Sequence, residues 1–161
     1  CMCRVPLCIQ CIFLCGGYDT GSLMLKLEEN NGTIEPKILY RLPPERFGST
    51  QHTPILYQGY LYGVRPDGQL VCLDLDGNEK WASGSANKFG LGSYMIAGTI
   101  LYVLNDAGLL SRVEATPDAF RLVDRTEVLH GHESWGPIAF ASGRMIVRDS
   151  TRMICLEVTA K

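Results

Sequence analysis

His130-Gly131-His132-Glu133 is the stretch of this chain best equipped for chemistry. Two imidazoles one residue apart, with a carboxylate beside them, are the kind of element that holds zinc or copper. The only other histidine, His52, also falls shortly before the opening strand of a repeat unit, so the three could share one rim. No further ligand is legible, and solvated loop histidines are the expectation. Cys8-x-x-Cys11 also has ligand spacing, but no second such pair and no neighbouring histidine completes a tetrahedral set. The amino-terminal cysteines Cys1, Cys3, Cys8, Cys11 and Cys15 are therefore read as part of a strand behind an irregular leader. Arg65, Arg148 and Asp149 each follow a strand. They could meet a ligand or partner, or simply stabilise turns. Tyr57, Tyr60 and Trp135 could stack on a sugar. Gly-x-Ser-x-Gly, phosphate-loop and His-Glu-x-x-His patterns do not occur. The candidate rim or ligand residues are thus His52, Arg65, His130, His132, Trp135 and Arg148, with no catalytic, cofactor or metal residue assigned.

The elements that must position these residues form a repeat. One strand recurs four times: Gly21-Ser-Leu-Met-Leu-Lys-Leu-Glu28, Gly68-Gln-Leu-Val-Cys-Leu-Asp74, Gly108-Leu-Leu-Ser-Arg-Val-Glu114 and Thr151-Arg-Met-Ile-Cys-Leu-Glu157. Their terminal acids step by 46, 40 and 43 residues, the spacing of a four-stranded propeller blade. A strand precedes each copy: Cys11–Cys15, Tyr60–Val64, Ile100–Leu104 and Arg144–Arg148. An acid stands in each connecting turn: Asp19, Asp67, Asp106 and Asp149. Asp67-Gly68 is a strong hairpin signal, because glycine takes the positive φ that tight hairpin turns require. Further strands are expected at Thr53–Tyr57, Ser93–Ala97 and Gly136–Phe140 upstream, and at Ile38–Leu42, Glu79–Trp81 and Phe120–Asp124 downstream.

The strands are near-continuous apolar runs, which suits sheets buried on both faces. The expectation is an all-β propeller of about four antiparallel blades at 11–48, 49–90, 91–130 and 131–161, behind a leader at 1–10. Gly59, Gly68, Asp74, Trp81, Glu114 and Glu157 are its structural repeat residues. Cys72 and Cys155 fall in register and are expected as small core residues. Hydrophobic residues make up 46% of the 161, enough for a core, and the formal net charge of −2 with no basic stripe argues against nucleic-acid binding. No apolar run has transmembrane length.

The second copy, from Gly59 and Leu61-Tyr62 through Asp67-Gly68 and Cys72-Leu73-Asp74 to Gly77-Asn78-Glu79-Lys80-Trp81, resembles the quinoprotein-type (PQQ-like) propeller repeat. The segment from Ser134 to Val158 is similar to the final blade of bacterial propellers akin to the outer-membrane assembly lipoprotein. The resemblance implies that Trp81 docks between blades, that the protein works outside the cytoplasm and that the ring has about eight blades. Those blades would come from a longer chain whose amino-terminal half precedes this one, leaving room for a membrane tether there. It implies a binding scaffold with a protein partner. In the enzymatic members, PQQ and Ca²⁺ occupy the central channel. Here the acids of the repeat share one register rather than converging, and no vicinal cysteine pair is present, so neither cofactor is expected. A piece of a PQQ-dependent alcohol or sugar dehydrogenase and a carbohydrate-binding propeller are the alternatives.

Overall fold

A computed structural model of the chain describes residues 2–8 and 10–158, with side chains from Gln10 onward. Fifteen strands and no helix occur among the described residues. They form four antiparallel meanders. The first is β1 (Met2–Cys8), β2 (Cys11–Gly16), β3 (Ser22–Asn30) and β4 (Thr33–Leu42). The second is β5 (Ile55–Tyr57), β6 (Tyr60–Val64), β7 (Leu70–Asp74) and β8 (Glu79–Ala82). The third is β9 (Tyr94–Ala97), β10 (Ile100–Leu104), β11 (Leu109–Glu114) and β12 (Leu122–Glu127). The fourth has three strands, β13 (Ala139–Ala141), β14 (Arg144–Arg148) and β15 (Met153–Glu157). Each sheet keeps its strands in chain order.

Residues 2–8 correct the expected leader. They pair with β2 as a strand, Met2 opposite Gly16 and Cys3 opposite Cys15. The reading of Cys8-x-x-Cys11 as a ligand pair rests on a Cys8 side chain outside the described residues, as do the side chains of Cys1 and Cys3. Cys11 is half-buried and Cys15 buried.

The chain divides into two compact units, Cys1–Lys88 and Phe89–Lys161. In the first, Phe13, Cys15 and Met24 of the first sheet meet Leu61, Val71 and Leu73 of the second, and Phe47 from the connecting loop joins them. The Phe13 and Phe47 rings lie 5.7 Å apart. Ser22 Oγ donates to the Phe47 carbonyl at 3.1 Å and Tyr40 Oη to the Leu75 carbonyl at 3.0 Å, so polar bonds tie the first sheet to the connecting loop and to the turn after β7. Each large apolar side chain fully removed from water contributes about 1.5–3 kcal/mol. In the second unit, Tyr102, Leu104 and Leu110 meet Met145 and Val147, with Leu129 from the connecting loop between them.

Phe47, Phe89 and Leu129 are all buried and follow the outer strand of their sheets at steps of 42 and 40 residues. They are a fourth mark of the repeat, and only their spacing announces it.

The alternation of faces explains which sheets read as solid apolar runs. β6 and β7 are buried nearly throughout. In β14, only Met145 and Val147 are buried, and Arg144, Ile146 and Arg148 face outward. Cys155, on the same outward face, is exposed, which corrects its expected core position; Cys72 is fully buried as expected.

The hairpin β3–β4 is longer than its sequence reading. Asn31 (φ 51°) and Gly32 (φ 79°) make the paired positive-φ turn that Asn-Gly favours. Cross-strand pairs Leu25–Ile38, Leu27–Pro36 and Glu29–Ile34 place one largely apolar row on one face. Lys26, Glu28, Glu35 and Lys37 line the other, with Lys26 Nζ 3.1 Å from Glu28 Oε1.

Candidate functional site

The turns after β2, β6, β10 and β14 hold the acids that the sequence places there, and their chemistry is largely spent on backbone. At Arg65-Pro66-Asp67-Gly68, the Gly68 N–H donates to the Arg65 carbonyl at 2.9 Å, and Gly68 has φ 86°. Asp67 Oδ1 accepts the Gln69 N–H at 3.0 Å and Arg65 Nε at 3.0 Å; Oδ2 accepts Gln69 Nε2 at 2.6 Å. Arg65 Nη1 also reaches Glu79 Oε2 at 3.0 Å. Burial pushes the Asp67 carboxyl upward, but these donors outweigh it and hold it below the ordinary carboxylate range. Arg65 therefore braces its turn and strand β8.

The corresponding turn of the third sheet uses a different residue. Asn105 Oδ1 accepts the Ala107 N–H at 3.0 Å and the Leu109 N–H at 2.8 Å. Asp106 is thereby released to bind elsewhere. Its Oδ1 accepts the Leu91 N–H at 2.9 Å and Trp135 Nε1–H at 2.9 Å. In the fourth sheet the job of Asn105 falls to Asp149, whose Oδ1 accepts the N–H groups of Thr151 at 2.7 Å and Arg152 at 2.6 Å. Those backbone donors, led by Thr151, hold its carboxyl low. Asp19 is exposed. The four acids thus share a location and not a role.

The strand-ending acids also diverge. Asp74 Oδ1 caps the β7–β8 turn by accepting the Asp76 N–H at 3.0 Å and the Asn78 N–H at 2.8 Å. Glu28 pairs with Lys26, and Glu114 Oε2 with Arg121 at 3.2 Å. Glu157 is exposed at the free end of β15. Gly59 (φ 82°) turns β5 into β6. Trp81 lies opposite Cys72, its ring 6.0 Å from Tyr62 in the same sheet.

The rim candidates scatter. His52 is half-buried, and its carbonyl accepts the Ser49 hydroxyl. His130 is exposed, with Nδ1 3.2 Å from Glu127 Oε1. His132 is exposed and offers its carbonyl to Ser150 Oγ at 3.2 Å. Trp135, 39% exposed, stands in the loop ahead of β13 rather than at the start of a strand. Arg148 lies over Gly136, where a Cβ would stand 2.7 Å from Arg148 Nε. Tyr57 and Tyr60 belong to the first unit and Trp135 to the second. Among the described residues, no three His, Cys, Asp or Glu side chains are placed to hold a metal ion. A recess of about 220 Å³ brings His130, Gly131, Asp149, Thr151 and Arg152 together, and Asp149 Oδ1 there already accepts the Thr151 and Arg152 N–H groups.

The surfaces that sequence reasoning missed are apolar. Ile34, 58% exposed, heads the open row of the β3–β4 hairpin. Ile146 (41%) and Met153 (70%) stand on the outward face of the fourth sheet beside Cys155. The period-2 alternation Arg144-x-Ile146-x-Arg148 was the legible signal.

No protein-family model matches the chain, and no curated protein matches it. Solved structures do. BamB from Moraxella catarrhalis is 13% identical with a TM-score of 0.65, over 92% of this chain and 40% of BamB. The computationally designed Ika4 protein is 8% identical with a TM-score of 0.62, over 94% of this chain and 88% of Ika4. AztD from Citrobacter koseri is 17% identical with a TM-score of 0.57, over 94% of this chain and 42% of AztD. The chain spans about two fifths of the length of BamB and AztD. At these identities the likeness is one of fold, and with four antiparallel meanders it makes the chain an all-β protein of propeller blades.

Proposed function

We propose that this chain is a non-catalytic binding scaffold whose partner is another protein, working outside the cytoplasm as part of a longer propeller. The observation that carries the reading is the apolar row left exposed on the long β3–β4 hairpin, Ile34 and Ile38. Contiguous exposed apolar side chains mark interaction surfaces. The polar groups of the turns meanwhile satisfy backbone and one another, as at Asp67, Asp74, Asp106 and Asp149. A catalytic constellation needs convergent titratable groups with unsatisfied valence.

The test is cross-linking of the tagged protein in cell extract, followed by identification of what is captured, alongside dye reduction with added PQQ and Ca²⁺. A defined protein partner without turnover is the expected result. Quinone-dependent turnover would overturn the scaffold reading in favour of a dehydrogenase.

A further inference from the structure

The β3–β4 hairpin outruns its siblings. A bulge interrupts the pairing of the outer strand in each four-stranded sheet, between Met24 and Leu25, Cys72 and Leu73, and Arg112 and Val113. Past it the second sheet pairs Leu73 with Glu79 and stops, and the third pairs Val113 with Leu122 and stops. The first sheet pairs Leu25 with Ile38 and continues through Lys26 with Lys37, Leu27 with Pro36, Glu28 with Glu35, Glu29 with Ile34 and Asn30 with Thr33. At the rise of a strand, these further pairs carry the tip about 16 Å onward. A blade of the siblings' length, packed on either face, stops level with Leu25 and Ile38 and leaves the tip in water.

The tip reads Glu29-Asn30-Asn31-Gly32-Thr33. Asn-x-Thr, with any middle residue but proline, is the acceptor pattern for attaching a glycan to asparagine. Glu29, two residues ahead of Asn31, completes the longer, acid-led form that bacterial transferases require. None of the other asparagines, Asn30, Asn78, Asn87 and Asn105, has serine or threonine two residues on.

The one copy of the pattern stands where a large donor can reach it. Every residue from 29 to 39 is exposed. Asn31 and Gly32 close the turn at positive φ, and a Cβ at Gly32 would meet nothing within 4 Å. Among the described residues, the Asn31 carboxamide and the Thr33 hydroxyl have no hydrogen-bond partner. A transferase must also lift its acceptor out of the native pairing. β2 accompanies β3 only as far as Lys26, so the hairpin is two-stranded from Glu28 on and opens there at low cost.

We propose that Asn31 is a glycan-acceptor site. Its Nδ2 attacks the anomeric carbon of an oligosaccharide carried on a lipid diphosphate. The new C–N bond replaces the C–O bond to phosphate, Nδ2 gives up a proton, and the lipid diphosphate leaves. The glycan hydrates the tip beside Ile34 and confines a protein partner to the end of the apolar row nearer Ile38. This rests on the extracytoplasmic part of the scaffold reading, since such donors are used outside the cytoplasm.

The probe is a lipid-diphosphate-linked oligosaccharide with a purified bacterial oligosaccharyltransferase, supplied to the folded 161-residue protein and read by intact mass and peptide mapping. One glycan on the peptide containing Asn31 is expected. It should be retained in Thr33→Ser and lost in Asn31→Gln and Thr33→Val, with circular dichroism unchanged in all three. Glycan that persists in Asn31→Gln would overturn the proposal. So would a folded chain left unmodified; a peptide copying residues 27–36 then tells whether the fold hides the acceptor or the sequence is not one. Cell fractionation of the tagged protein separates the two readings. Recovery outside the cytoplasm with no transfer in vitro would overturn the acceptor site and leave the scaffold reading standing. Recovery in the cytoplasm despite transfer in vitro would overturn the extracytoplasmic reading, and with it the use of the site in the cell.

Discussion

Trp135 Nε1–H donates to Asp106 Oδ1 at 2.9 Å, on the same oxygen that takes the Leu91 N–H at 2.9 Å. One carboxylate therefore ties the loop ahead of β9 to the loop ahead of β13. Trp135→Phe keeps the ring and removes the indole donor. Because the indole is partly exposed, water replaces some of the lost bond, and the expected cost is about 1 kcal/mol. Asp106→Ala strands the Leu91 amide as well and should cost about 2–3 kcal/mol. Urea unfolding of both variants checks this; equal costs would show that the Leu91 bond carries nothing.

How much of this was legible follows from which signals are periodic. The four sheets were, because apolar runs and turn glycines repeat at blade spacing. Cys155 was not. Its register with Cys72 is real, but burial depends on what packs against a column, and register within one strand does not carry that. The turn acids misled in the same way: Asp67, Asp106 and Asp149 look alike in a one-dimensional reading. A shift of one residue hands the cap to Asn105 and frees Asp106 for Trp135. The β3–β4 hairpin is legible in Asn31-Gly32, although its strands run past the blade's usual length.

Gly77 has φ 83°, and a Cβ there would stand 2.9 Å from the Tyr40 ring. Gly32 has a similar φ of 79° with open space around it. Alanine at Gly32 should cost about 1 kcal/mol through backbone strain alone. Alanine at Gly77 should cost about 2–4 kcal/mol, because the ring that bonds the Leu75 carbonyl must also move. Comparing the two by thermal melting separates conformation from crowding. Equal losses would mean that Tyr40 yields freely.

Asp67, Asp74 and Asp124 all titrate below the ordinary carboxylate range. At Asp124 the Arg112 hydrogen bond leads; at Asp67 and Asp74 burial opposes the shift but the local donors prevail. A carboxyl lowered on folding contributes above its unfolded pKa of about 3.9 and loses that contribution as pH falls through the folded value. Stability should therefore hold from pH 7 to about 5 with respect to these groups and drop below about pH 4. Asp74→Asn preserves an oxygen for the Asp76 and Asn78 amides, as Asn105 already does in the third sheet, but removes a titrating group. Its acid unfolding curve should be shallower than that of the native chain. An unchanged acid limb would show that Asp74 carries no part of the pH dependence.

Trp81 lies opposite Cys72 on the neighbouring strand, and the consequence can be read from the thiols. Trp81 is buried against Tyr62, and removing it to alanine should cost about 3–5 kcal/mol through the cavity it leaves. Burial pushes the Cys72 thiol up to about 11, so little thiolate exists at neutral pH and the native side chain should resist alkylation. Cys155, at the same register position but exposed, should react readily in both proteins and serves as the internal reference. In Trp81→Ala, the Cys72 rate should rise toward that of Cys155 under conditions where the variant remains folded. Peptide mapping after timed iodoacetamide exposure distinguishes the two sites. A Cys72 rate that stays at its native value would mean that Tyr62 and the sheet suffice to bury it.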